Sequence, residues 1–300
     1  MSIGVPGVSS AEKIGQGGFG IVYRAHQDSF DRTVAVKVLS AVDLNAEAHE
    51  RFAREVRAVG RLSGHPNIVS VYEHGTTTSG APYLLMEYCE RGSYGDVLRN
   101  GQRLSWERAV DVGICIADAL DATHQGGLLH RDVKPDNILV AREGERARLM
   151  DFGVAIIRDL GEFESQVFRT VEGGATGTPQ FMSPEQAAGD TVGPGSDLYS
   201  LALVLYLALS GRLPFTSETS NGFMACHMLE EPLPLAKASA ATKGLPRELH
   251  ELMTGLLDKN PAKRPTCEQV IATLGRLEAQ VGEASKDRKS GLLGFLWGRR

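Results

Sequence analysis

The stretch "LLHRDVKPDNILV" (128–140) holds the residues best suited to chemistry, because a dense polar cluster lies between two apolar ends. Within it, Asp132 is two residues from Lys134. A carboxylate so placed can orient a hydroxyl group, while a neighbouring ammonium steadies a phosphate. The apolar ends predict short segments anchored in a core, which would hold the polar middle rigid. The pair is therefore suited to phosphoryl chemistry.

Two further residues supply oxygen ligands for a metal. Asn137 lies in a loop, because Pro135 interrupts any helix there. Asp151 follows a short apolar strand in "RLMDFG". An Asn and an Asp on adjacent loops suit Mg²⁺, a hard cation that prefers oxygen ligands and is usually shared with phosphates. The competing interpretation, a plain polar turn, is disfavoured because other segments supply the missing parts in a matching chain order.

A glycine run near the start of the chain, "GQGGFGIV", has the pattern Gly15-x-Gly17-x-x-Gly20-x-Val22. Glycines let a backbone approach phosphates without obstruction by side chains. Taken alone, such a run is more commonly a glycine-rich hairpin without a ligand. A dinucleotide site would place a helix directly after the glycines, whereas "IVYRAH" continues as a strand. The run therefore predicts a β-turn-β unit and argues against a Rossmann site.

A lysine within the strand "TVAVKVL" is a further candidate. Alternation puts Lys37 on one face with Ala35, which leaves room for a flat ring, and the bulkier valines on the other. Glu55 lies on the helix that follows and borders its apolar face. An ion pair between Lys37 and Glu55 is geometrically plausible. Two ordinary solvated charges remain the alternative.

The elements that must position these residues change character along the chain. The first 90 residues predict mostly sheet with one helix, and helices dominate from Ser105, a residue suited to cap the helix that follows. The segment 158–178 is long and weakly periodic, as functional loops often are. "LYSLALVLYLALS" (198–210) is shorter than the roughly 20 residues a spanning helix needs and predicts a buried core helix.

Composition excludes several classes of protein. The 300 residues are 42% hydrophobic and 23% charged with a net charge of −5, so no basic field indicates nucleic acid or membrane. The four cysteines have no metal spacing and predict free thiols in a reducing compartment. No signal peptide is visible at the start. The exception in charge is 286–300, with five basic residues and one acid.

Together these motifs resemble those of eukaryotic-type (Hanks-type) Ser/Thr protein kinases. The segments "SPEQAAG" and "SFDRTVAVKVL" resemble those of bacterial members of this family. The resemblance covers roughly residues 10–280. It implies an α+β, bilobal fold with a small, mostly antiparallel β lobe containing one key helix, a larger, mainly helical lobe, and the active site in the cleft between them. The expected divisions are a small lobe at 1–86 (ordered from about 10), a hinge at 87–92, a large lobe at 93–280 and a C-terminal tail, expected to be flexible, at 281–300.

The resemblance also implies ATP as cosubstrate and Mg²⁺, or alternatively Mn²⁺, as the metal. Asp132 receives the acceptor proton, Lys134 stabilises the transferring phosphoryl group, and Thr178 joins these two. Lys37 contacts the α/β-phosphates and is held by Glu55. The metal ligands are Asn137 and Asp151. The residues expected around the nucleotide are Ile14, Gly15, Gly17, Gly20, Val22, Ala35, Lys37, Met86 as gatekeeper, the hinge from Glu87 to Cys89, Leu139 and Asp151.

Residues outside the reaction centre are assigned by the same resemblance. Glu185 and Arg264 match a buried ion pair that braces the large lobe, and Asp197 matches an acid that holds the backbone of the catalytic loop. Arg131 matches an arginine that often pairs with a phosphorylated loop residue. Thr170, as an autophosphorylation site, and Thr176 are the regulatory candidates.

The resemblance implies protein substrates with Ser/Thr acceptors, a signalling role and a cytoplasmic location. No nucleic-acid partner and no transmembrane segment are expected, while weak membrane contact of the tail and homodimerisation are left open. Two other functions are the alternatives. A pseudokinase scaffold would lack one of the reacting residues, and all are present. A small-molecule kinase of the aminoglycoside type would lack the long loop ending in "GTPQFMSPE".

Overall fold

A five-stranded antiparallel sheet forms the first part of the chain in a computed structural model. The structure describes residues 2–17, 20–39, 56–140, 147–151 and 179–281. The strand order is β1-β2-β3-β5-β4, and a two-stranded ladder, β6-β7, follows later. The strands are β1 Val8–Gly17, β2 Gly20–Gln27, β3 Arg32–Leu39, β4 Val71–Thr76, β5 Pro82–Glu87, β6 Ile138–Leu139 and β7 Arg148–Leu149.

The two faces of this sheet bury different residues, as the alternation in β3 predicts. Val34 and Val36 pack on one face in a small separate core with Tyr83 and Leu85 of β5. In the strand register, Lys37 lies opposite Val22 of β2 and Leu84 of β5. These three residues therefore share the other face of the sheet. That second face lies towards the rest of the molecule, because Ala35, Leu39, Leu84 and Met86 belong to the main core.

Helices make up most of the remainder. The longest is α3, whose N-cap Ser105 accepts a hydrogen bond from the backbone of Arg108, as its type predicts. The described helices are α1 at 56–61, α2 Tyr94–Val97, α3 Trp106–Gln125, α4 Pro184–Ala188, α5 Pro194–Ser210, α6 Ser220–Leu229, α7 Leu235–Ala238, α8 Arg247–Leu256 and α9 at 267–281.

Helix α5 is the centre of the helical part. Nearly all of its residues are buried, and α3, α7 and α8 pack around it. Pro194 starts the helix and Gly211, in the left-handed region at φ 76°, ends it. The predicted core helix at 198–210 is thereby confirmed. No helix in the described ranges is long and apolar enough to cross a membrane.

The strand β7 joins the sheet to the helical part. The backbone N–H of Leu149 donates to the carbonyl oxygen of Asn67 (2.8 Å), and that of Val69 donates back to Leu149 (3.0 Å). The side chain of Asn67 adds a hydrogen bond to the carbonyl oxygen of Ala147 (3.0 Å). The chain just before Asp151 is thus fixed to the segment that enters β4.

Candidate active site

The loop between α3 and β6 gathers three predicted site residues into one hydrogen-bonded cluster. Lys134 Nζ donates to Asp132 Oδ2 (2.7 Å). Asn137 Nδ2 donates to the same oxygen (3.0 Å) and to the backbone carbonyl of Asp132 (2.8 Å). Because its amide nitrogen is turned towards Asp132, the amide oxygen of Asn137 is left for another partner.

The loop backbone is held by one buried carboxylate on α5. Asp197 accepts hydrogen bonds from the backbone N–H groups of His130 (2.9 Å) and Arg131 (2.7 Å). A third contact joins Asp197 to Nε2 of His124 at the end of α3 (2.8 Å). Burial raises the pKa of Asp197, but the hydrogen bond from His124 and the nearby positive charge outweigh it and leave the pKa below its ordinary value.

Arg131 takes a backbone conformation that side-chain-bearing residues rarely adopt, at φ 64°. Both its backbone groups are used: its N–H donates to Asp197, and its carbonyl oxygen accepts from Gln186 Nε2 (2.9 Å). The residue directly before Asp132 is therefore fixed from two helices, α5 and α4. This arrangement gives Asp132 a defined position.

Lys37 reaches from the sheet to the second metal-ligand candidate. Its Nζ donates to Asp151 Oδ1 (2.6 Å) and Oδ2 (2.7 Å), and the side chain of Lys37 is buried. Asp151 also lies in the left-handed region, at φ 68°. The neighbouring Met150 donates its N–H to the carbonyl oxygen of Asn137 (2.9 Å), which keeps the two candidate metal ligands on adjoining segments.

The sheet face above these residues forms an apolar wall. Gly15 pairs with Val22 across β1 and β2, and Ala35 pairs with Met86 across β3 and β5. Leu139 packs against the same core from β6. Ile14 is exposed near the open end. Ala35 contributes a small side chain to this wall.

One glycine of the run, Gly20, is required by the close approach of two strands. Gly20 has φ 151°, and a Cβ there would overlap the carbonyl oxygen of Val38 on β3. Gly17 faces Gly20 across the end of β1 and β2. The β-turn-β interpretation of the run is consistent with these two paired strands.

Glu87, the last residue of β5, is bonded to a strand of the second ladder. Both carboxylate oxygens of Glu87 accept from Nη1 of Arg148 on β7. Cys89 lies two residues later and is half-buried. The pair Glu87–Arg148 links the end of β5 to the strand that leads to Asp151.

A second cluster lies on the far side of the loop. Arg264 binds Glu185 through two hydrogen bonds (2.7 and 2.9 Å), and both side chains are almost fully buried. Ser196 also donates to Glu185. Burial raises the pKa of Glu185, but hydrogen bonds from Arg264 and Ser196 outweigh it and leave the pKa below its usual value. The charge is therefore retained inside the protein.

Several contacts were not anticipated from the sequence. His124, Gln186 and Arg148 each hold a site residue or its backbone, yet none was assigned a role. Their partners lie far away in the chain, 73 residues for His124 and Asp197 and 61 for Arg148 and Glu87. Of the three, His124 alone gave a signal in the sequence, because it is a polar residue at the end of an apolar helix.

Four predicted site residues lie outside the described residues: Glu55, Thr170, Thr176 and Thr178. The tail from residue 282 lies outside them as well. The predictions made for them therefore remain predictions.

The donor set suits a metal that is shared with phosphates. Asn137 offers an amide oxygen and Asp151 a carboxylate, which is too few ligands for a cage built from protein alone. Within the described part of the chain, no group of three or more His, Cys, Asp or Glu side chains is arranged to hold a metal ion. A hard cation that completes its shell with phosphate oxygens and water fits this pair.

Known proteins resemble this chain over almost its whole length. Residues 8–274 match the protein kinase domain family. The Ser/Thr-protein kinase PknK of Mycobacterium tuberculosis is 39% identical over 95% of this chain and 24% of its own length. The Ser/Thr-protein kinase pkn3 of Myxococcus xanthus is 36% identical over 92% of this chain and 49% of its own. The chain thus spans about a quarter to a half of these curated relatives.

A solved structure confirms the predicted fold class. The crystal structure of the Mycobacterium tuberculosis PknI kinase domain, in a cysteine-to-alanine mutant, superposes with a TM-score of 0.68 at 26% identity, covering 92% of this chain and 98% of that one. The α+β architecture, with an antiparallel sheet of five strands followed by helices, is shared with it. The family uses ATP and a divalent metal, in agreement with the donor set around Asn137 and Asp151. This chain belongs to the protein kinase domain family.

Proposed function

We propose that this chain is an ATP-dependent Ser/Thr protein kinase that acts in bacterial signalling. The observation that carries the proposal is the cluster of Asp132, Lys134 and Asn137, joined by hydrogen bonds of 2.7–3.0 Å and linked through Met150 to the pair Lys37–Asp151. These five side chains offer a proton acceptor, two ammonium groups and two oxygen donors for a metal, which supports phosphoryl transfer.

The roles follow from the chemistry of each side chain. When bound, ATP with Mg²⁺ supplies the transferable γ-phosphoryl group and neutralises its developing charge. Asp132 orients the acceptor hydroxyl and takes its proton as the oxygen bonds to phosphorus and ADP leaves. Lys134 stabilises charge on the transferring group, and Lys37 binds the α/β-phosphates. Asn137 and Asp151 hold the metal through their side-chain oxygens.

The proposed nucleotide site uses the apolar wall described above. Val22, Ala35 and Leu139 contact the two faces of the base together with Ile14, and Met86 limits the depth of the site. The backbone of Glu87 to Cys89 bonds the base, while Gly15, Gly17 and Gly20 let the strand backbone come close to the phosphates. The metal is Mg²⁺, with Mn²⁺ as a substitute.

Ser/Thr acceptors are favoured by Lys134, since tyrosine kinases usually carry a different sequence there. The names of the relatives support the same acceptor class. Autophosphorylation at Thr170, homodimerisation and a cytoplasmic location remain predictions.

The proposal is tested by transfer from γ-labelled ATP to a model protein acceptor, myelin basic protein. Asp132→Asn should lower kcat by about 10²- to 10⁴-fold, because the general base is lost. Asp136→Asn is the matched control, since this exposed residue of the same loop has no assigned role and the variant should behave as wild type. If Asp132→Asn and wild type transferred phosphate equally, the proposal would be wrong.

A further inference from the structure

His227, on α6, is fully buried although it belongs to no site described above. Its ring meets Phe215 edge to face, with centroids 5.1 Å apart at 78°, and Tyr199 of α5 at 5.7 Å and 74°. The hydroxyl of Tyr199 lies 3.1 Å from Nδ1 of His227. An apolar residue would fill this space without a polar cost, so the imidazole needs a reason to be there.

The ring is neutral at physiological pH. Burial lowers the pKa of His227 to about 4, and the positive charge of Lys259 acts in the same direction. Lys259 lies close, donating to the carbonyl oxygens of Cys226 (3.3 Å) and His227 (2.7 Å) at the end of α6. A neutral imidazole has one donor and one acceptor nitrogen.

The two ring nitrogens of His227 have different surroundings. The backbone of Pro179 and Gln180 lies close enough to His227 to act on its pKa as a hydrogen-bond partner. Nε2 is buried and makes no hydrogen bond within the described residues. The hydrogen bond that holds the ring is therefore the one between Nδ1 and the hydroxyl of Tyr199.

The backbone that His227 faces is the turn Pro179–Phe181, which packs against α6. Ser200 Oγ on α5 donates to the carbonyl oxygen of Phe181 (2.7 Å). A few residues later, Gln186 binds the carbonyl oxygen of Arg131, directly before Asp132. The turn is therefore supported by α5 and α6, and the helix that follows it, α4, is bonded to the catalytic loop.

We propose that His227 is a positioning residue for the protein acceptor. It holds the turn Pro179–Phe181 in the position in which a bound acceptor chain can place its hydroxyl at Asp132. An acceptor that reaches Asp132 must lie against the segments bordering the catalytic loop, and 179–186 is one of them. The inference rests on the proposed function, because it concerns the acceptor side of that reaction. His227 touches neither the nucleotide residues nor the reacting residues.

A steady-state comparison of the two substrates tests this role. His227→Phe keeps an aromatic ring but removes both nitrogens, and Tyr199→Phe removes only the hydroxyl that is hydrogen-bonded to Nδ1. His227→Phe should raise the KM for myelin basic protein about fivefold, the worth of roughly one hydrogen bond, while the KM for ATP stays within about twofold. Tyr199→Phe should show a smaller rise, and the double variant should not exceed His227→Phe by the full effect of Tyr199→Phe, because the two side chains act as one unit.

His250→Phe is the matched control, a half-buried histidine on α8, and should leave both KM values unchanged. The inference is overturned if His227→Phe leaves the acceptor KM unaltered, or raises both KM values equally. Should His227→Phe fail to fold, Tyr199→Phe decides alone: an acceptor KM equal to that of wild type rejects the role. Failure of the proposed function is distinct, since wild type would then transfer no phosphate to the acceptor.

Discussion

Lys37 binds both carboxylate oxygens of Asp151, at 2.6 and 2.7 Å, across 114 residues of sequence. The cation proposed to bind phosphates and the anion proposed to bind the metal thus neutralise each other. Loading the site would replace this contact, at least in part, by metal and phosphate contacts. Until the metal and the nucleotide bind, the ion pair lets each of the two buried charges compensate the other.

Replacing Lys37 by Met should lower kcat/KM by about 10²-fold or more, because a phosphate ligand is lost from a largely buried site. The measurement is initial-rate transfer over a range of ATP concentrations. Lys237→Ala removes an exposed lysine and should leave the rates unchanged. A Lys37→Met variant with normal kcat/KM would contradict the assigned role.

Replacing Asp197 by Asn should lower kcat far more than it weakens ATP binding. The amide cannot accept from His130, Arg131 and His124 as the carboxylate does, and a loop shift of about 1 Å can cost on the order of 10²-fold in rate. Rates at saturating ATP and nucleotide titration by fluorescence separate the two effects.

Asp121→Asn, on the surface side of α3, is the control for this change. The assignment of Asp197 as a positioning residue would be refuted by a variant that loses nucleotide affinity but keeps its kcat.

Replacing Arg264 by Leu should reduce the free energy of unfolding by about 3–5 kcal/mol, because Glu185 is left as an uncompensated buried charge. Arg276→Leu is the matched control: its partner Glu248 lies at 2.6 Å, but Arg276 is 58% exposed. Such a surface pair contributes at most about 1 kcal/mol. Urea denaturation of both variants checks the difference, and equal losses would argue against the bracing role.

The stability conferred by Glu185 has a defined pH range. Its pKa in the folded protein lies below the ordinary value of 4.5, so the contribution is complete above about pH 4.5 and is lost as the pH falls through the folded pKa. Wild type and Arg264→Leu should therefore converge in stability in strong acid.

The titration of His227 predicts a second effect of pH on the free energy of unfolding, this time from a basic side chain. Its pKa falls from 6.5 to about 4 on folding, so between these values the unfolded chain binds the proton more readily. Stability should rise with pH over this range, by at most about 1.4 kcal/mol per pH unit for one proton. Lys259 and Tyr199, which face the ring, stay protonated throughout.

Urea denaturation at pH 7 and pH 5 measures this effect as a difference between two proteins. Wild type should lose more stability on acidification than His227→Phe, since the other histidines are common to both. Equal losses would show that His227 does not titrate as inferred.

The local parts of the site follow from sequence, whereas the contacts between distant segments do not. The alternation in β3 correctly puts Lys37 and Ala35 on one face. Pro135 was expected to place Asn137 in a loop, whereas it begins a short 3₁₀ helix, Pro135–Asn137, because a proline fits the first position of a helix. Lys37 was expected to meet Glu55, which lies outside the described residues, and its described partner is Asp151. Such a pairing depends on how the sheet and the helices are placed relative to each other, which no short-range pattern contains.

His227 is a second residue whose contacts with distant segments do not follow from the sequence. On the sequence, it is one polar residue near the end of a short apolar helix, and its spacing carries no signal. Its neighbours Tyr199 and Phe215 come from other elements, and the turn at Pro179 comes from a third. Only the packing of α5, α6 and this turn brings them together.

The attachment of the catalytic loop to Asp197 has a consequence for heat inactivation. Because the anchoring carboxylate belongs to the most buried helix, the loop cannot come loose while α5 remains packed. Activity and tertiary structure should then disappear at a single temperature, with no earlier range in which a folded enzyme has lost its catalytic geometry. The core that makes the domain stable also sets the temperature limit of its chemistry.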